Sequence, residues 1–375
     1  MNLLSIVYIF IFVFLSVFWL NSLFNLLFSN FTKLKYRKKK NQINFQDKIS
    51  ILIPVRNEEA KISNLLESLI NQTYKNIDIH ILDDNSEDNT YEIIQKYHEK
   101  YDNIKVYKGE KLPDGWLGKN WACQQLSQKA NSDILLFLDA DLILNSQAIE
   151  LLMIKYKSSN VGLLSVFPTQ ITISIGEKLI VPLMNYILLA MLPLTLVYKS
   201  TLKSFIAANG QLMLWRKSTY VKIGGHHSVK GHVVEDIELA KLVKKNNDKV
   251  ITLLGGNFVF CRMYEGFRQS LSGFSKNFYK GFNLPSFIFL SIFSLISLIN
   301  IFPFLQFTYS QNLFSLIMIL LIIFTRINIS LLSNQNIIVN LLLHPFQFIL
   351  LIELAFLSVI KTKFGLNVWK GRKIS

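Results

Sequence analysis

The sequence predicts an α/β domain, a mostly parallel sheet with helices on both faces, between N-terminal and C-terminal transmembrane helices. Two charge-free stretches, residues 1–32 and 281–325, carry the membrane part of this prediction. Each is longer than the roughly 20 apolar residues that a helix needs to cross a bilayer. Between residues 48 and 280, short β-rich apolar segments alternate with segments whose apolar residues have helical spacing. Such alternation is typical of a parallel sheet covered by helices.

Residues 1–32 are predicted to be a membrane anchor that remains part of the protein. A cleaved signal peptide is the alternative, but the segment lacks a basic start, is too long, and has no small-residue cleavage site after it. The run KLKYRKKK follows at residues 33–40, inside a basic linker at residues 33–47. Because basic segments beside a membrane helix stay on the cytoplasmic side, the domain at residues 48–280 is expected in the cytoplasm, on a multi-pass protein of the inner (cell) membrane.

The alternation within residues 48–280 defines the elements of the domain in order. Strand segments are short and β-rich, whereas helix segments place apolar residues three or four positions apart, as Leu65, Leu66 and Leu69 are. The predicted elements are a strand at residues 48–55, a helix at 58–72, a strand at 76–84, a helix at 86–101, a strand at 103–109, a helix at 118–130 and the strand ILLFLDADLIL at 134–144. Parallel sheets of this kind bind ligands beyond the carboxyl ends of their strands.

Two further hydrophobic regions bear on the membrane topology. Residues 179–198 are apolar, but Pro182 and Pro193 argue against a spanning helix, so a membrane-interface segment is predicted, with a buried core helix as the alternative. Residues 281–360 are predicted to hold two or three membrane segments, for which one division is 284–307, 313–332 and 337–360. Three crossings would place the basic tail at residues 361–375 outside, against the charge rule, unless one segment is re-entrant.

The formal net charge of +15 does not indicate a nucleic-acid partner, because the basic residues cluster beside the membrane segments. Attraction to anionic lipid explains that placement better. Cys123 and Cys261 have no metal-ligand spacing and fit a reducing compartment. His226, His227 and His232 lie in a glycine-containing segment and are expected to be loop residues rather than metal ligands.

The segment LDADL places Asp139 and Asp141 two residues apart in an apolar run. In an extended chain such residues point to the same side, so the two carboxylates are expected to converge. Neighbouring carboxylates repel each other unless a cation lies between them, and hard oxygen ligands suit Mg²⁺ or Mn²⁺ shared with substrate phosphates. The tripeptide therefore indicates either a metal–diphosphate site or a turn with solvated aspartates, and alone it does not separate the two.

Two other predicted strands end in polar side chains. The first runs into PVRNEE, which contains Pro54, Arg56, Asn57 and Glu58, and the second runs into DDNSEDNT, which contains Asp84. Side chains of this kind donate and accept hydrogen bonds at a nucleobase or a ribose. The alternative is ordinary turn and helix-cap chemistry. Since ligands bind at this edge of a parallel sheet, both segments are candidates for a nucleotide site.

The segment LPDGWLGKNWA surrounds Lys119 with glycines and tryptophans, including Trp121, at the predicted start of a helix. The amino end of a helix with a nearby lysine favours an anionic group such as a phosphate. A packed loop with a surface lysine is the alternative. The chain has no G-x-x-x-x-G-K-[ST] sequence, so it does not match a P-loop nucleotide hydrolase.

The segment GHVVEDIELAKLV begins a predicted amphipathic helix with Glu235 and Asp236. Asp236 is a candidate general base for an acceptor hydroxyl, and ordinary acidic residues at a helix start are the alternative. Arg262 begins a basic segment that either clamps a diphosphate or an acidic acceptor, or forms a solvated face beside the membrane.

The order of these motifs carries more information than each motif alone. ILIPVRNEE, ILDDNSEDNT, LDADL, GGH and VEDIELA follow one another at the spacing found in family 2 glycosyltransferases, which the sequence resembles over residues 48–277. The resemblance implies the GT-A fold, a Rossmann-like sheet that binds a nucleotide sugar, and metal-dependent inverting transfer from a UDP-sugar. The elements GWLGKNWA, RMYEGF and WKGR are similar to those of the membrane-bound hopene-associated and carotenoid (4,4'-diaponeurosporenoate-type) glycosyltransferases, which implies a lipid acceptor such as a carotenoid or a hopanoid.

The same resemblance implies roles for individual residues. Asp236 would be the catalytic base. Asp139 and Asp141 would bind the divalent metal, Mg²⁺ or Mn²⁺. The residues that would bind the nucleotide sugar are Pro54, Arg56, Asn57, Glu58, Asp84, Lys119, Trp121, Asp139 and Arg262.

Two other functions stay open at this point. A processive polysaccharide synthase is disfavoured because the chain lacks a Q-x-x-R-W sequence, which QLMLWR at residues 211–216 does not match. A catalytically inactive membrane scaffold of the same fold is disfavoured because the acids Asp84, Asp139, Asp141 and Asp236 are all present. The sequence does not predict the oligomeric state.

Overall fold

The structure is a computed structural model that describes residues 3–35 and 46–373. The chain divides into two compact units. The helical unit comprises Met1–Ser29, Gln170–Pro193 and Met263–Ser375, and the sheet unit comprises Asn30–Thr169 and Leu194–Arg262. Of the basic linker predicted at residues 33–47, residues 36–45 lie outside the described part of the chain.

The elements alternate through the sheet unit as predicted. The strands are, in chain order, β1 (Ile49–Val55), β2 (Ile77–Asp83), β3 (Ile104–Lys108), β4 (Ile134–Leu138), β5 (Leu142–Leu144), β6 (Leu163–Phe167), β7 (Thr169–Gln170), β8 (Leu212–Arg216), β9 (Val250–Leu254), β10 (Val259–Cys261), β11 (Val368–Trp369) and β12 (Arg372–Lys373). The helices are α1 (Leu3–Leu27), α2 (Ser29–Thr32), α3 (Ile62–Ile70), α4 (Thr90–Lys100), α5 (Gly118–Lys129), α6 (Ala148–Ser159), α7 (Ile175–Met191), α8 (Leu194–Lys199), α9 (Lys217–Lys222), α10 (Glu235–Lys245), α11 (Gly266–Phe282), α12 (Ser286–Ser310), α13 (Leu313–Ser333), α14 (Ile337–Leu342) and α15 (His344–Lys363). A 3₁₀ turn at Gly225–Val229 precedes α10.

The main sheet has the strand order β3-β2-β1-β4-β8-β6-β9. Neighbours pair in parallel except β8, which runs antiparallel to both β4 and β6. The predicted mostly parallel α/β sheet is therefore confirmed. Since β8 runs the other way, its first residue, Leu212, pairs with Leu138 at the end of β4. The residues just before β8 thus lie at the carboxyl edge of β4.

Burial on both faces holds the centre of this sheet. Ile51, Leu52 and Ile53 of β1 are fully buried, and the apolar stripe of α3 that includes Leu65 and Leu69 is buried as its spacing predicts. Burying one such side chain contributes roughly 1.5–3 kcal/mol. A rigid central strand therefore ends at the polar segment that begins with Arg56.

The predicted strand at residues 134–144 is wrong as a single element. Strand β4 ends at Leu138, and β5 begins at Leu142 in a different sheet, where Leu142 pairs with Cys261 of β10. Asp139 and Asp141 lie in the turn between them, and the Asp139 N–H donates to the Gln211 carbonyl at 2.9 Å. The pairing of β4 with β8 ends at Leu138 and Leu212, and the chain joins the second sheet at Leu142.

Among the residues that the structure describes, four helices of the helical unit are long and apolar enough to cross a membrane: Ser5–Leu27, Ser286–Ser310, Leu313–Ser333 and His344–Lys363. The segment predicted at residues 337–360 is two helices, α14 and α15. Pro345 explains the break, because proline lacks an N–H for the helix interior and is accommodated in a first turn.

The interface segment predicted at residues 179–198 is not observed as one element. Helix α7 continues through Pro182 and packs against α1, α11, α13 and α15, so it is a buried helix of the helical unit. Helix α8 belongs to the sheet unit, where it packs on β9. Residues 170–193 and 263–280, which the sequence analysis assigned to the cytoplasmic domain, likewise fall in the helical unit.

Candidate active site

The carboxyl ends of β1 and β2 meet through Arg56, whose guanidinium binds the loop that follows β2. Its Nη1 donates to the Asp84 and Asn85 carbonyls, both at 2.6 Å, and its Nη2 lies 2.9 Å from Glu87 Oε1. Arg56 is buried, and the Asp84 N–H donates to the Val55 carbonyl at 2.8 Å. Arg56 therefore shapes this edge of the sheet by holding the loop.

Asn57 and Glu58 bind the same loop. Asn57 has φ 51°, a left-handed conformation that asparagine tolerates better than most residues. Its Oδ1 accepts from the Glu87 N–H at 2.8 Å, and its own N–H donates to Ser86 Oγ at 3.0 Å. The Glu58 N–H donates to Thr90 Oγ1 at 2.8 Å. Arg56, Asn57, Glu58 and Asp84 thus lie together beside half-buried Pro54, and their role in nucleotide binding stays a prediction.

Lys119 is the central cation of the site. It occupies the second position of α5, and its ammonium lies 2.7 and 2.9 Å from the two Asp139 carboxylate oxygens. The same Nζ lies 3.4 Å from Glu235 Oε1 and donates to the Gly210 carbonyl at 3.4 Å. The tripeptide DAD is therefore a turn, but Asp139 pairs with a lysine instead of being solvated.

Asp236 lies in the first turn of α10, where the helix dipole favours an acid. Its Oδ2 accepts from the Gly210 N–H at 2.9 Å, and its Oδ1 accepts from the Ile237 N–H at 2.8 Å. The carboxylate of the predicted base is thereby fixed in orientation, and Gly210 links it to Lys119.

A side chain at position 210 would displace Glu235 from its observed position. A Cβ there would lie 2.9 Å from Glu235 Oε1 and 3.5 Å from the Asp236 Cβ. Because Gly210 has no side chain, Glu235 and Asp236 of α10 can both approach the end of β4. Neither Gly210 nor Glu235 was singled out as a site residue from the sequence, although Glu235 stands next to Asp236 in VEDIELA.

Gln211 is a third residue that the sequence did not indicate. Its Nε2 donates to Asp141 Oδ1 at 3.1 Å and to Cys261 Sγ at 3.1 Å. It therefore orients the second aspartate of the DAD turn. Arg262 follows Cys261 directly, and since Cys261 pairs with Leu142, Arg262 is brought to the same turn.

The charges in this cluster do not balance. Burial raises the pKa of Asp139 and of Asp236, and burial together with these two acids raises the pKa of Glu235 to about 7. For Lys119, burial alone would lower the pKa, but Asp139 and Glu235 outweigh it and hold it well above the usual range. The Lys119 ammonium thus faces several acids, namely Asp139, Glu235 and Asp236, with Asp141 adjacent, and the mutual repulsion of these carboxylates favours the binding of a further cation.

The donor set fits a metal ion that is shared with a substrate. Among residues 3–35 and 46–373, no group of three or more His, Cys, Asp or Glu side chains is placed to hold a metal by itself. Mg²⁺-type ions, however, commonly use one or two carboxylates and complete their shell with phosphate oxygens and water. Asp139 and Asp141 supply two carboxylates at the end of β4, which is sufficient for an ion of that kind.

The chain before α10 is tied to the start of α5. Asn120 is buried, and its Nδ2 donates to the carbonyls of Val229, Lys230 and His232 at 2.9–3.2 Å. His226 is a core residue whose Nδ1 lies 2.7 Å from the Tyr220 hydroxyl, and burial lowers its pKa to about 3. These bonds explain how Lys119 and Asp236, far apart in sequence, meet.

Trp121 belongs to the same helix start as Lys119. Its ring packs edge-on against Trp116 at a centroid distance of 5.0 Å, and Trp116 in turn packs against His227. Trp121 Nε1 is buried without a hydrogen-bond partner in the described part of the chain. Trp121 thus fixes the position of the α5 start, and Lys119 projects from it toward Asp139.

Comparison with known proteins identifies the family. A model described as Glycosyl transferase family 2 matches residues 50–211. A relative from Staphylococcus aureus (strain USA300), named 4,4'-diaponeurosporenoate glycosyltransferase, is 30% identical over 361 residues, which are 91% of this chain and 92% of that protein. A relative of the same name from Staphylococcus haemolyticus (strain JCSC1435) is 31% identical over 242 residues. These residues are 64% of this chain and 63% of that protein, so this match spans slightly less than two thirds of that relative's length.

A solved structure supports the fold. The mannosyltransferase PcManGT from Pyrobaculum calidifontis, in complex with GDP-Man and Mn²⁺, is similar with a TM-score of 0.53 at 12% identity, over 95% of this chain and 99% of that one. At this identity the similarity shows the fold alone, and it confirms the predicted GT-A architecture. The S. aureus relative, matched over nearly its whole length, confirms the predicted family and activity class. The chain is a glycosyltransferase and belongs to glycosyltransferase family 2.

Proposed function

We propose that this enzyme transfers one sugar from a nucleotide sugar to a membrane lipid. The observation that carries the proposal is the junction at Gly210, where Asp139, Lys119 and Asp236 meet at the carboxyl edge of the sheet. The named relatives support a carotenoid acid as the acceptor, and the family resemblance supports a UDP-sugar as the donor.

The sheet edge offers a separate region for each part of the donor. Pro54, Arg56, Asn57, Glu58 and Asp84 would line the nucleotide region, where Arg56 keeps the loop after β2 in place. Lys119, Trp121 and Arg262 would serve the diphosphate. A lysine at a helix start favours a phosphate, because both the ammonium and the helix N-terminus attract negative charge.

Asp139 and Asp141 would hold a divalent ion, Mg²⁺ or Mn²⁺. When bound, such an ion supplies positive charge for the leaving diphosphate. The residues of the chain support this role by keeping both carboxylates in place. The Asp139 N–H donates a hydrogen bond to the Gln211 carbonyl, and the Gln211 side-chain amide donates one to the Asp141 carboxylate.

Inverting transfer needs one displacement at the anomeric carbon of the sugar. The acceptor oxygen forms a bond to that carbon while the bond from that carbon to the diphosphate oxygen breaks, and the electron pair leaves with the diphosphate. An acceptor hydroxyl passes its proton to Asp236, whose Oδ atoms are aimed by the Gly210 and Ile237 N–H groups. A carboxylate acceptor carries no proton at neutral pH and needs no base. Asp236 would then orient it only while it holds a proton of its own, and burial, which raises the pKa of Asp236, favours that form.

We also propose that the helical unit crosses the membrane three times and that α14 and α15 form a re-entrant hairpin. Helices α1 and α13 run in the same direction, since Tyr8 contacts Phe314 and Ser22 accepts a hydrogen bond from Asn328. The connection from Ser333 to His344 includes α14, which is about 9 Å long, and four further residues, which span at most about 14 Å. That total is shorter than the roughly 30 Å hydrocarbon core, so α15 does not begin at the opposite surface.

The contacts of α15 agree with this arrangement. His344 packs on Phe304, late in α12, at a centroid distance of 5.8 Å. Ser358, fourteen residues later, accepts from the Tyr279 N–H of α11, just before α12 begins. The basic end of α15 thus returns to the side where α12 starts. The basic tail then lies on the cytoplasmic side, as the positive-inside rule favours.

The function is tested by supplying purified membranes with radiolabelled nucleotide sugars and extracting them with organic solvent. Label in a small lipid is expected, and label in a polymer would indicate a processive synthase instead. Asp141→Asn should lower transfer because the proposed metal ion loses a ligand. Asp236→Asn should lower transfer by roughly 10²–10⁴-fold if the acceptor is a hydroxyl, the range for a positioned base, and by less if the acceptor is a carboxylate. Asp102→Asn, an exposed aspartate of the same unit, is the matched control. Full transfer by both active-site variants would overturn the proposal.

A further inference from the structure

Asp139 faces two competing demands. Its carboxylate holds the Lys119 ammonium at 2.7 and 2.9 Å, and the proposed function assigns the same carboxylate to a divalent ion. An ammonium that stays on both oxygens would repel the incoming ion and cover its ligand. Lys119 therefore needs another acid within reach when the ion binds.

Glu235 is placed to be that acid. Its Oε1 lies 3.4 Å from Lys119 Nζ, on the α10 side of the ammonium, and its side chain is buried. Within residues 3–35 and 46–373, Lys119 is the only cation that forms an ion pair with Glu235. Gly210 leaves the space that Oε1 occupies, because a Cβ there would lie 2.9 Å from it.

We propose that Glu235 is a positioning residue that retains Lys119 when a divalent ion binds Asp139. The ammonium lies between the two acids and needs to move only slightly to exchange Asp139 for Glu235. It then stays beside the Gly210 carbonyl, at the start of α5, where a diphosphate would meet it. The proposal rests on the metal site of the proposed function.

The test is a double-mutant cycle that measures Mn²⁺ affinity and not activity. The full-length enzyme in detergent is titrated with Mn²⁺, with and without UDP, and free Mn²⁺ is measured by electron paramagnetic resonance. The variants are Glu235→Gln, Lys119→Met and the double variant, with Glu238→Gln as the matched control. Glu238 lies on the same helix but pairs with Lys241 at 2.7 Å.

Glu235→Gln is expected to weaken Mn²⁺ binding about tenfold, because Lys119 then stays on Asp139. Lys119→Met is expected to strengthen it, and in that background Glu235→Gln should have almost no further effect. A direct field effect of the Glu235 charge would instead weaken binding equally in both backgrounds, and that result would overturn the proposal. Lys119→Arg, which keeps the competing cation, should bind Mn²⁺ no more tightly than the unaltered enzyme, and tighter binding by this variant would contradict the proposal even if Lys119→Met fails to fold.

Asp141→Asn separates this inference from the proposed function. If Asp141→Asn abolishes Mn²⁺ binding while the cycle shows no coupling between Glu235 and Lys119, the metal site is supported and the positioning role of Glu235 is refuted. If Asp141→Asn leaves Mn²⁺ binding unchanged, or if the enzyme binds no Mn²⁺ with or without UDP, the metal assignment falls and this inference falls with it.

Discussion

Replacing Glu235 with glutamine should stabilise the sheet unit at pH 8 and not at pH 4.5. Burial beside Asp236 and Asp139 raises the pKa of Glu235 from its usual 4.5 to about 7. Between these values the folded protein keeps a proton that the unfolded chain has released. The free energy of unfolding therefore falls as the pH rises from 4.5 to about 7, and it stays at the lower value above that. Glutamine is neutral at every pH, so the free energy of unfolding of the variant does not fall in this way as the pH rises.

The size of the effect follows from the two pKa values. The folded and unfolded pKa values differ by about 2.5, and each pKa unit corresponds to about 1.36 kcal/mol. At pH 8 the free energy of unfolding of the variant should therefore exceed that of the unaltered enzyme by about 3 kcal/mol. Glu235 is only 8% exposed, so solvent screening reduces this figure little. For a unit of roughly 200 residues, 1 kcal/mol raises Tm by about 2–4 °C, which gives a shift of about 6–12 °C.

The assay is thermal unfolding of the full-length enzyme, followed by tryptophan fluorescence, at several pH values between 4.5 and 8. EDTA is present, because a bound divalent ion would stabilise the ionised acid and hide the effect. Glu238→Gln, which replaces a half-buried glutamate one turn further along α10, is the control and should not raise Tm at pH 8. A Glu235→Gln variant with equal shifts at pH 5 and pH 8, or a lower Tm at pH 8, would refute the reasoning.

Three further predictions concern the sheet edge and the tail. Gly210→Ala should lower transfer about tenfold or more, because the added methyl group displaces Glu235. Transfer rates measure this effect, and circular dichroism checks that the variant still folds. Normal activity would contradict the prediction. Arg56→Met should raise KM for the donor more than it lowers kcat, because the loop after β2 loses the guanidinium hydrogen bonds to Asp84, Asn85 and Glu87; steady-state kinetics check this, and an unchanged KM would count against it. Lys370→Cys should react with an impermeant maleimide only in inside-out vesicles. The other two cysteines, Cys123 and Cys261, are buried and should not react. Labelling in right-side-out vesicles would refute the re-entrant hairpin.

The periodicity of the sequence was sufficient to predict the core of the sheet. The residues of β4 are all apolar, and polar residues interrupt β1 only at Ser50, whereas β2 alternates isoleucines with Asp78 and His80. The apolar stripe of α3 has helical spacing, and its residues are buried in the folded chain. The break at Asp139 was not predictable in the same way. Apolar residues stand on both sides of the DAD turn, and composition does not reveal that Leu142 pairs with Cys261 in another sheet.

The site itself depended on long-range pairing. Asp139 and Asp236 belong to segments that local patterns describe separately, and only the antiparallel entry of β8 places Gly210 between them. The family resemblance named Asp236 and Asp139, but it passed over Gly210, Gln211 and Glu235, because their importance lies in contacts across the sheet edge.

The orientation of β8 is therefore the feature from which the active site follows. A parallel strand beside β4 would place its carboxyl end there, followed by a crossover helix. The antiparallel strand instead brings the incoming backbone of Gly210 and Gln211 to the end of β4. One N–H of this backbone aims Asp236, one carbonyl holds Lys119, and the next side chain orients Asp141. Two adjacent residues thus connect the proposed base, the lysine and the metal ligand, so the Gly210→Ala variant should disturb all three.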